Sequence, residues 1–349
     1  MIRFVSGEYP PDVGGVGDYT ANLRRALAEK GCQSTVLSRR DVGCWNARGI
    51  FDVIRSSPTD GILHIQYQAA AFDLLGDICL VPLLLRRLRP HVHTVTTFHD
   101  VRVPYLFPRA GRLRQAAVRL LARTSRAVIA AERDDLRNLG RSDFLIPIGS
   151  NVRNAPPDGY NRDAFRFSLG LGPADLAIVY FGLLNASKGL DLLLSTVERL
   201  PRAKLLLLGG EVGASDPTDH FTAGRIRARI EALGGRVIRT GWLAQPELSA
   251  HLLAGDVALL PYVDGASARR GSLLACAEHG LPIVSTRPAS PEVAPFIGAL
   301  EPDASILAAA ILRTAEDPGR LRAAARTLAE HVSWPRIADA HIRVYNQLT

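Results

Sequence analysis

The stretch Ile2-Arg3-Phe4-Val5-Ser6-Gly7-Glu8-Tyr9-Pro10-Pro11-Asp12-Val13-Gly14-Gly15-Val16-Gly17-Asp18 decides the architecture. Ile2 to Gly7 reads as a short buried strand, and a loop rich in proline and glycine follows it through Gly17. A helix then runs roughly over 18–29, with Leu23 and Leu27 on one face and Gly31 at its end. Outward from this opening the same order repeats. Strand-like runs recur at 34–37, 61–66, 93–98, 126–131 and 144–148, with helical segments between several of them, notably 76–88 and 112–125. Such alternation predicts a parallel sheet covered by helices on both faces.

The texture changes over 149–172, which carries Asn151, Asn154, Pro156, Pro157, Asp158, Gly159 and Asn161 and reads as a linker. The alternation then restarts. Strands are predicted at 177–181, 204–208, 236–240, 257–260 and 283–285, and helices near 189–200, 223–233, 246–253 and 271–279. Three helical segments follow, 305–315, 318–331 and 334–347. Two βα halves of similar size imply an α/β protein of two doubly wound domains facing each other across a cleft. Sheets of this kind bind ligands beyond the carboxyl ends of their strands.

Composition agrees with a soluble globular chain: of 349 residues, 47% are apolar and 22% charged, enough for two cores. No apolar run approaches the roughly 20 residues that cross a bilayer. The first residues are too short for a secretory apolar segment, which predicts a cytoplasmic protein. The net charge is +8, yet only Lys30, Lys188 and Lys204 are lysine. An arginine bias of this kind reads as composition, not nucleic-acid binding, though a basic protein favours phosphates or lipid head groups. Cys32, Cys44, Cys79 and Cys276 show no paired spacing and read as buried free thiols. His91 and His93 lack a third ligand nearby in sequence, so no metal site is expected.

Four places carry groups suited to chemistry. Gly14, Gly15 and Gly17 join a strand to a helix, where backbone amides approach a phosphate and the helix start favours its charge; the other reading is a tight turn that binds nothing. The spacing is not GxGxxG, so a nicotinamide cofactor is not favoured. Lys188 stands just before a helix at the end of the second half's first strand, where a mobile cation neutralises a diphosphate. The run Asp264-Gly265-Ala266-Ser267-Ala268-Arg269-Arg270-Gly271-Ser272 combines glycines, hydroxyls and two guanidinium forks ahead of a helix: a phosphate cradle, or an exposed basic loop. His99 and Asp100 follow one apolar strand, and His64, Gln66 and Tyr67 end another; each histidine is a hydrogen-bonding or acid–base group, or a structural one.

Taken in order, these pieces resemble family 4 retaining glycosyltransferases of the GT-B fold, over essentially the whole chain. The resemblance is carried by Gly7-Glu8-Tyr9-Pro10-Pro11 with Gly14-Gly15-Val16-Gly17, by Gln66-Tyr67, by Thr97-Phe98-His99-Asp100, and by Ile146 to Asn151. It continues through Phe181-Gly182 with Lys188-Gly189, Gly241-Trp242-Leu243, Leu260-Pro261 and His279-Gly280-Leu281-Pro282-Ile283-Val284. It implies an acceptor-side domain over 1–152, to which a helix at 334–349 crosses back, and a nucleotide-sugar domain over 153–333. Gly15 matches the position whose amide approaches the donor, His99 the histidine on a donor-sugar hydroxyl, and Lys188 the diphosphate lysine. The backbone at Gly241, Trp242 and Leu243 matches the part that receives the nucleobase, with Gly209, Gly210 and Glu211 at the adjacent strand end. Gln66, Tyr67 and Asp100 fall on the acceptor side.

Two departures alter the donor site. An arginine is usual where Leu183 stands here, and two glutamates are usual where Ser267 and Ala275 stand. Glu278 is near, but on a different helical face. Some members carry Asp-Gly-x-Ser-x-Arg-Arg-Gly instead, and this chain looks like that subgroup. Arg269 or Arg270 is then expected to replace the missing positive charge beside Lys188, with Gly271 and Ser272 completing the cradle. The implied reaction moves a sugar from a nucleoside-diphosphate donor to an acceptor hydroxyl with retention. No carboxylate is placed as a nucleophile, and no Asp-x-Asp motif holds a metal, so neither metal nor cofactor is expected. The alternatives are an epimerase or hydrolase of nucleotide sugars, and a catalytically idle homologue that binds a partner. The acceptor stays open between a glycan, a lipid-linked and a small-molecule acceptor. Arg112, Arg119, Arg123 and Arg126 fall near one helix face, with Leu113, Leu120 and Leu121 on the other. This is either a weak contact with the anionic inner membrane surface or a solvated face.

Overall fold

The computed structural model describes residues 1–12, 14–101, 111–141, 143–182, 188–210 and 217–348, with the side chains of 111–112 and 217–223 left aside. Leu183 and Glu211 lie outside the described residues, as does the Arg112 side chain. The chain divides into two compact units, Met1–Asn151 with Val332–Thr349, and Val152–His331.

The first unit runs β1 (Ile2–Ser6), α1 (Gly15–Glu29), β2 (Ser34–Leu37), α2 (Arg39–Val42), α3 (Ala47–Ser56), β3 (Gly61–Tyr67), α4 (Val81–Leu88), β4 (Val92–Phe98), α5 (Gly111–Thr124), β5 (Ala127–Ala130), α6 (Arg133–Leu139) and β6 (Phe144–Leu145). Its sheet is parallel in the order β2-β1-β3-β4-β5-β6. Strand parity sorts the residues onto two faces. Val5, Leu63, Ile65, Tyr67, Phe98 and Val128 join one core, while Phe4, Ile62, Val95 and Ile129 join the other. With both faces covered, β3 reads as a nearly continuous buried run.

Two differences from the sequence reading have simple causes. The helix expected over 76–88 begins as a 3-10 turn, Asp77–Leu80, because Pro82 belongs in the first turn of α4. Helix α3, absent from that reading, is amphipathic through Ile50, Val53 and Ile54, with Asn46 accepting from the Arg48 amide at its start.

The second unit runs α7 (Arg162–Ser168), β7 (Leu176–Phe181), α8 (Leu190–Glu198), β8 (Ala203–Leu208), α9 (Pro217–Leu233), β9 (Val237–Gly241), α10 (Gln245–Ala254), β10 (Val257–Leu260), α11 (Gly271–Glu278), β11 (Ile283–Thr286), β12 (Gly298–Leu300), α12 (Ala304–Glu316) and α13 (Gly319–His331). Its parallel sheet has the order β12-β11-β10-β7-β8-β9. The stretch read as a linker contains a short helix, α7. There Arg166 is buried and donates to the Ala254 carbonyl at 2.7 Å, the Asp175 carbonyl at 2.7 Å and Asp256 at 3.1 Å.

The last helix, α14 (Trp334–Asn346), belongs to the first unit. Ile337, Ala338, His341, Val344 and Tyr345 recur at helical spacing and are buried on the face that holds Phe4 and Tyr19. The Trp334 indole donates to the Ser150 carbonyl at 2.9 Å. Tyr345 Oη meets His64 Nδ1 at 2.7 Å, and Thr97 Oγ1 meets His64 Nε2 at 2.8 Å. His64 is thereby a structural residue inside the core. Of the four cysteines, Cys79 and Cys276 are buried; Cys32 and Cys44, expected inside, are half-buried. Among the described residues no helix is long and apolar enough to cross a membrane.

Candidate active site

In the first unit the glycine turn is occupied by the chain's own carboxylate. Glu8 Oε1 accepts from the Val16 amide at 3.2 Å, at the start of α1. A Cβ on Gly14 would lie 1.9 Å from the Glu8 carboxyl, and one on Gly17 would lie 3.1 Å from the Glu8 carbonyl oxygen. These two glycines therefore make room for Glu8. Gly15 alone of the three faces open space, and Asn151 Nδ2 donates to its carbonyl at 3.0 Å. Burial pushes the Glu8 pKa upward, against the pull of hydrogen bonds from Val16 and Gly17.

His99 lies beside this turn, with its ring edge-on to Tyr19 at 4.7 Å. Its Nε2 donates to Gln66 Oε1 at 2.8 Å, so the remaining ring nitrogen, Nδ1, is the one left to accept. Burial and nearby His341 bring the His99 pKa down to about 3. At neutral pH it is therefore a hydrogen-bonding group and not an acid. Gln66 and Tyr67, grouped by sequence, point to opposite faces of β3. Gln66 goes to His99, while Tyr67 lines a separate hollow with Asp100.

In the second unit the cations converge on Tyr262, a ring 2% exposed and set just past the carboxyl end of β10. Lys188 Nζ lies 5.5 Å and Arg270 Cζ 4.7 Å from its centroid. Gly189, at φ +69°, starts α8, and a Cβ there would meet the Pro261 carbonyl at 1.8 Å. That close approach brings Lys188 to the end of β10. Burial above all, then the like charge of Arg270, lowers the Lys188 pKa to about 8, and Asp264 partly offsets them.

Arg270 pairs with Asp264 and stands immediately before α11, whose first residues are Gly271 and Ser272. The hydroxyl of Ser272 meets Tyr262 Oη at 2.7 Å, and the Ser267 carbonyl accepts from the Arg270 amide at 3.1 Å. Arg269 is half-buried. Ala275 is fully buried, its carbonyl taken by His279 Nδ1 at 2.7 Å.

Gly209 and Gly241 pair at the ends of β8 and β9, with the Gly209 amide donating to the Gly241 carbonyl at 3.2 Å. Gly210 faces open space, Trp242 is 79% exposed, and Leu243 is half-buried. On α5 and just after it, Arg119, Arg123 and Arg126 are exposed, and of the leucines grouped on the other face Leu121 is buried, Leu120 half-buried and Leu113 76% exposed. Sequence reasoning passed over Tyr262 and Arg114, and it quoted Glu8 and Asp264 within their motifs without giving either a partner. The available signal for Tyr262 was its place directly after Pro261 at a strand end. The others depend on contacts between distant residues.

No family profile matches the chain. Over 97% of its length it is 25% identical to the D-inositol 3-phosphate glycosyltransferase of Xylanimonas cellulosilytica, covering 93% of that protein. Among solved structures it is similar to sucrose-phosphate synthase from Thermosynechococcus elongatus, with a TM-score of 0.73 at 21% identity, covering 99% of this chain and 98% of that one. It is also similar to Anabaena HepE in complex with UDP and glucose, with a TM-score of 0.72 at 16% identity and the same coverage. The fold is the one these structures share, two parallel six-stranded sheets with flanking helices, as in GT-B glycosyltransferases.

Proposed function

We propose that this chain is a retaining glycosyltransferase, transferring a sugar from a nucleoside-diphosphate donor to an acceptor hydroxyl. The observation that carries the reading is the pair of cations, Lys188 and Arg270, gathered on the Tyr262 ring at the strand ends of the second unit. A lysine held at low pKa by burial and a neighbouring guanidinium is a cation in want of an anion. A diphosphate answers that need, and it gains negative charge as the glycosidic bond breaks. The name of the Xylanimonas relative supports glycosyl transfer, and the UDP bound in the HepE structure supports a uridine donor.

In this mechanism Lys188 and Arg270 hold the diphosphate, with Ser267, Arg269 and the amides of Gly271 and Ser272 around it. Gly209, Gly210, Gly241, Trp242 and Leu243 receive the nucleoside. Gly15 and the neutral His99 serve the sugar, His99 accepting a hydrogen bond from a sugar hydroxyl at Nδ1. The bond between the anomeric carbon and the phosphate oxygen breaks, and the acceptor oxygen bonds to that carbon on the same face. The acceptor's proton passes to the departing phosphate oxygen, so no enzymic carboxylate and no metal is required. With Leu183 in place of an arginine, Arg270 supplies the second positive charge.

The test is incubation with a panel of nucleotide sugars, with products read by mass spectrometry and their anomeric configuration by NMR. A glycoside retaining the donor's configuration is expected. An inverted product would overturn retention. Release of nucleotide and free or rearranged sugar without any acceptor would favour the epimerase or hydrolase reading. Failure of every nucleotide to bind would leave only a non-catalytic homologue.

A further inference from the structure

Beyond the donor residues, the first unit contains a hollow lined by Tyr67, Asp100 and Arg114 among apolar side chains such as Leu74 and Val118. It lies past the carboxyl ends of β3 and β4, where sheets of this kind take ligands. Its enclosed part is small, about 20 Å³, room for one small polar group rather than a whole sugar.

Arg114 makes it a site of defined chemistry. Its Nη1 is buried and has no hydrogen-bond partner among the described residues. A buried guanidinium nitrogen without an acceptor is costly, and an oxyanion oxygen is the partner that repays it best. Its charge also acts on Tyr67, whose hydroxyl bonds Cys79 and whose pKa burial raises. The wall is not purely cationic. The Asp100 carboxylate lines the same hollow, repels a bare anion and suits hydrogen bonds from hydroxyls. The two together select a ligand that carries both features.

We propose that this hollow binds a polyol bearing an anionic group, one of whose oxygens enters and accepts from Arg114 Nη1 while an adjacent hydroxyl donates to Asp100. If the chain is the transferase proposed above, that polyol is the acceptor. Phosphate and carboxylate share the chemistry, and the experiment separates them.

Binding of glucose, glucose 6-phosphate and glucuronate is measured by calorimetry on the full chain and on Arg114→Met. At least one anionic sugar is expected to bind tenfold or more tighter than glucose, the tighter of the two naming the group. Arg114→Met should erase that preference without changing UDP affinity. Equal binding of the three sugars, no binding of any, or a preference that survives Arg114→Met overturns the proposal. Should Arg114→Met fail to fold, Arg114→Lys keeps the charge but removes the fork, and is expected to lose part of the preference; full retention overturns the assignment to Arg114. A wild-type chain that prefers the anionic sugar yet ignores every nucleotide would sink the transferase reading while leaving the hollow standing.

Discussion

The two units each turn a strand into a helix over a glycine-bearing loop, and they equip those turns in opposite ways. After β1 the start of α1 faces the chain's own Glu8 carboxylate. After β10 the start of α11 is preceded by Arg270 and approached by Lys188, both set on Tyr262. One helix start has its anion built in; the other has two cations and one anion paired with Arg270, the half-exposed Asp264. The same local geometry is thus made self-sufficient in one unit and receptive in the other. Glycine content alone does not mark a phosphate site; the charge of the side chains folded against the turn decides.

The sharpest way to break this contrast is to remove the cations. Lys188→Ala and Arg270→Ala should each lower turnover by about 10²-fold, the size of one lost charge contact in a transition state, with little change in thermal midpoint. Unchanged turnover in both would end the donor assignment. The pH dependence sharpens the same point. Lys188 is charged below its pKa of about 8 and loses its proton as pH rises through it. Nucleotide affinity should therefore be flat below pH 8 and weaken above it, approaching about tenfold per pH unit. Arg270→Gln removes the like charge, so the break should move to higher pH. A titration series without a break would contradict the role of Lys188.

Smaller effects probe the edges. Trp242 presents an exposed indole at the end of β9, so Trp242→Ala should weaken nucleotide binding by about tenfold if it stacks on the base and leave stability unaltered. Glu8→Gln keeps an acceptor for the Val16 amide but loses the charge at the start of α1. It should cost under about 1 kcal/mol in denaturant unfolding, with nucleotide affinity unaffected. A tenfold change in affinity there would show that the first unit's turn also meets the diphosphate, and the contrast would fail.

Much of the fold is legible in the sequence because parallel sheets need near-continuous apolar strands, and β3, β7, β8 and β10 read that way. Helix starts were less legible: the 76–88 prediction overlooked Pro82, and α3 is marked only by its apolar spacing. Lys188 and Arg270 stood out by charge at strand ends. Tyr262, which gathers them, carries no charge to mark it in the sequence, and Glu8 gave no local sign that it would fold back onto α1. Gln66 and Tyr67 could have been separated in advance, since neighbours on a strand face opposite ways.

The return of the last helix to the first unit has a consequence for biosynthesis. The second unit is one continuous run of chain, but the first is assembled from both ends of the sequence. As the chain leaves the ribosome, the second unit can complete itself before the first has all its parts. Until α14 emerges, the face bearing Phe4 and His64 has α1 over it but lacks Ile337, Ala338, Val344 and Tyr345, and His64 lacks the Tyr345 hydroxyl it bonds in the finished protein. The nascent protein therefore holds its first-made half open the longest.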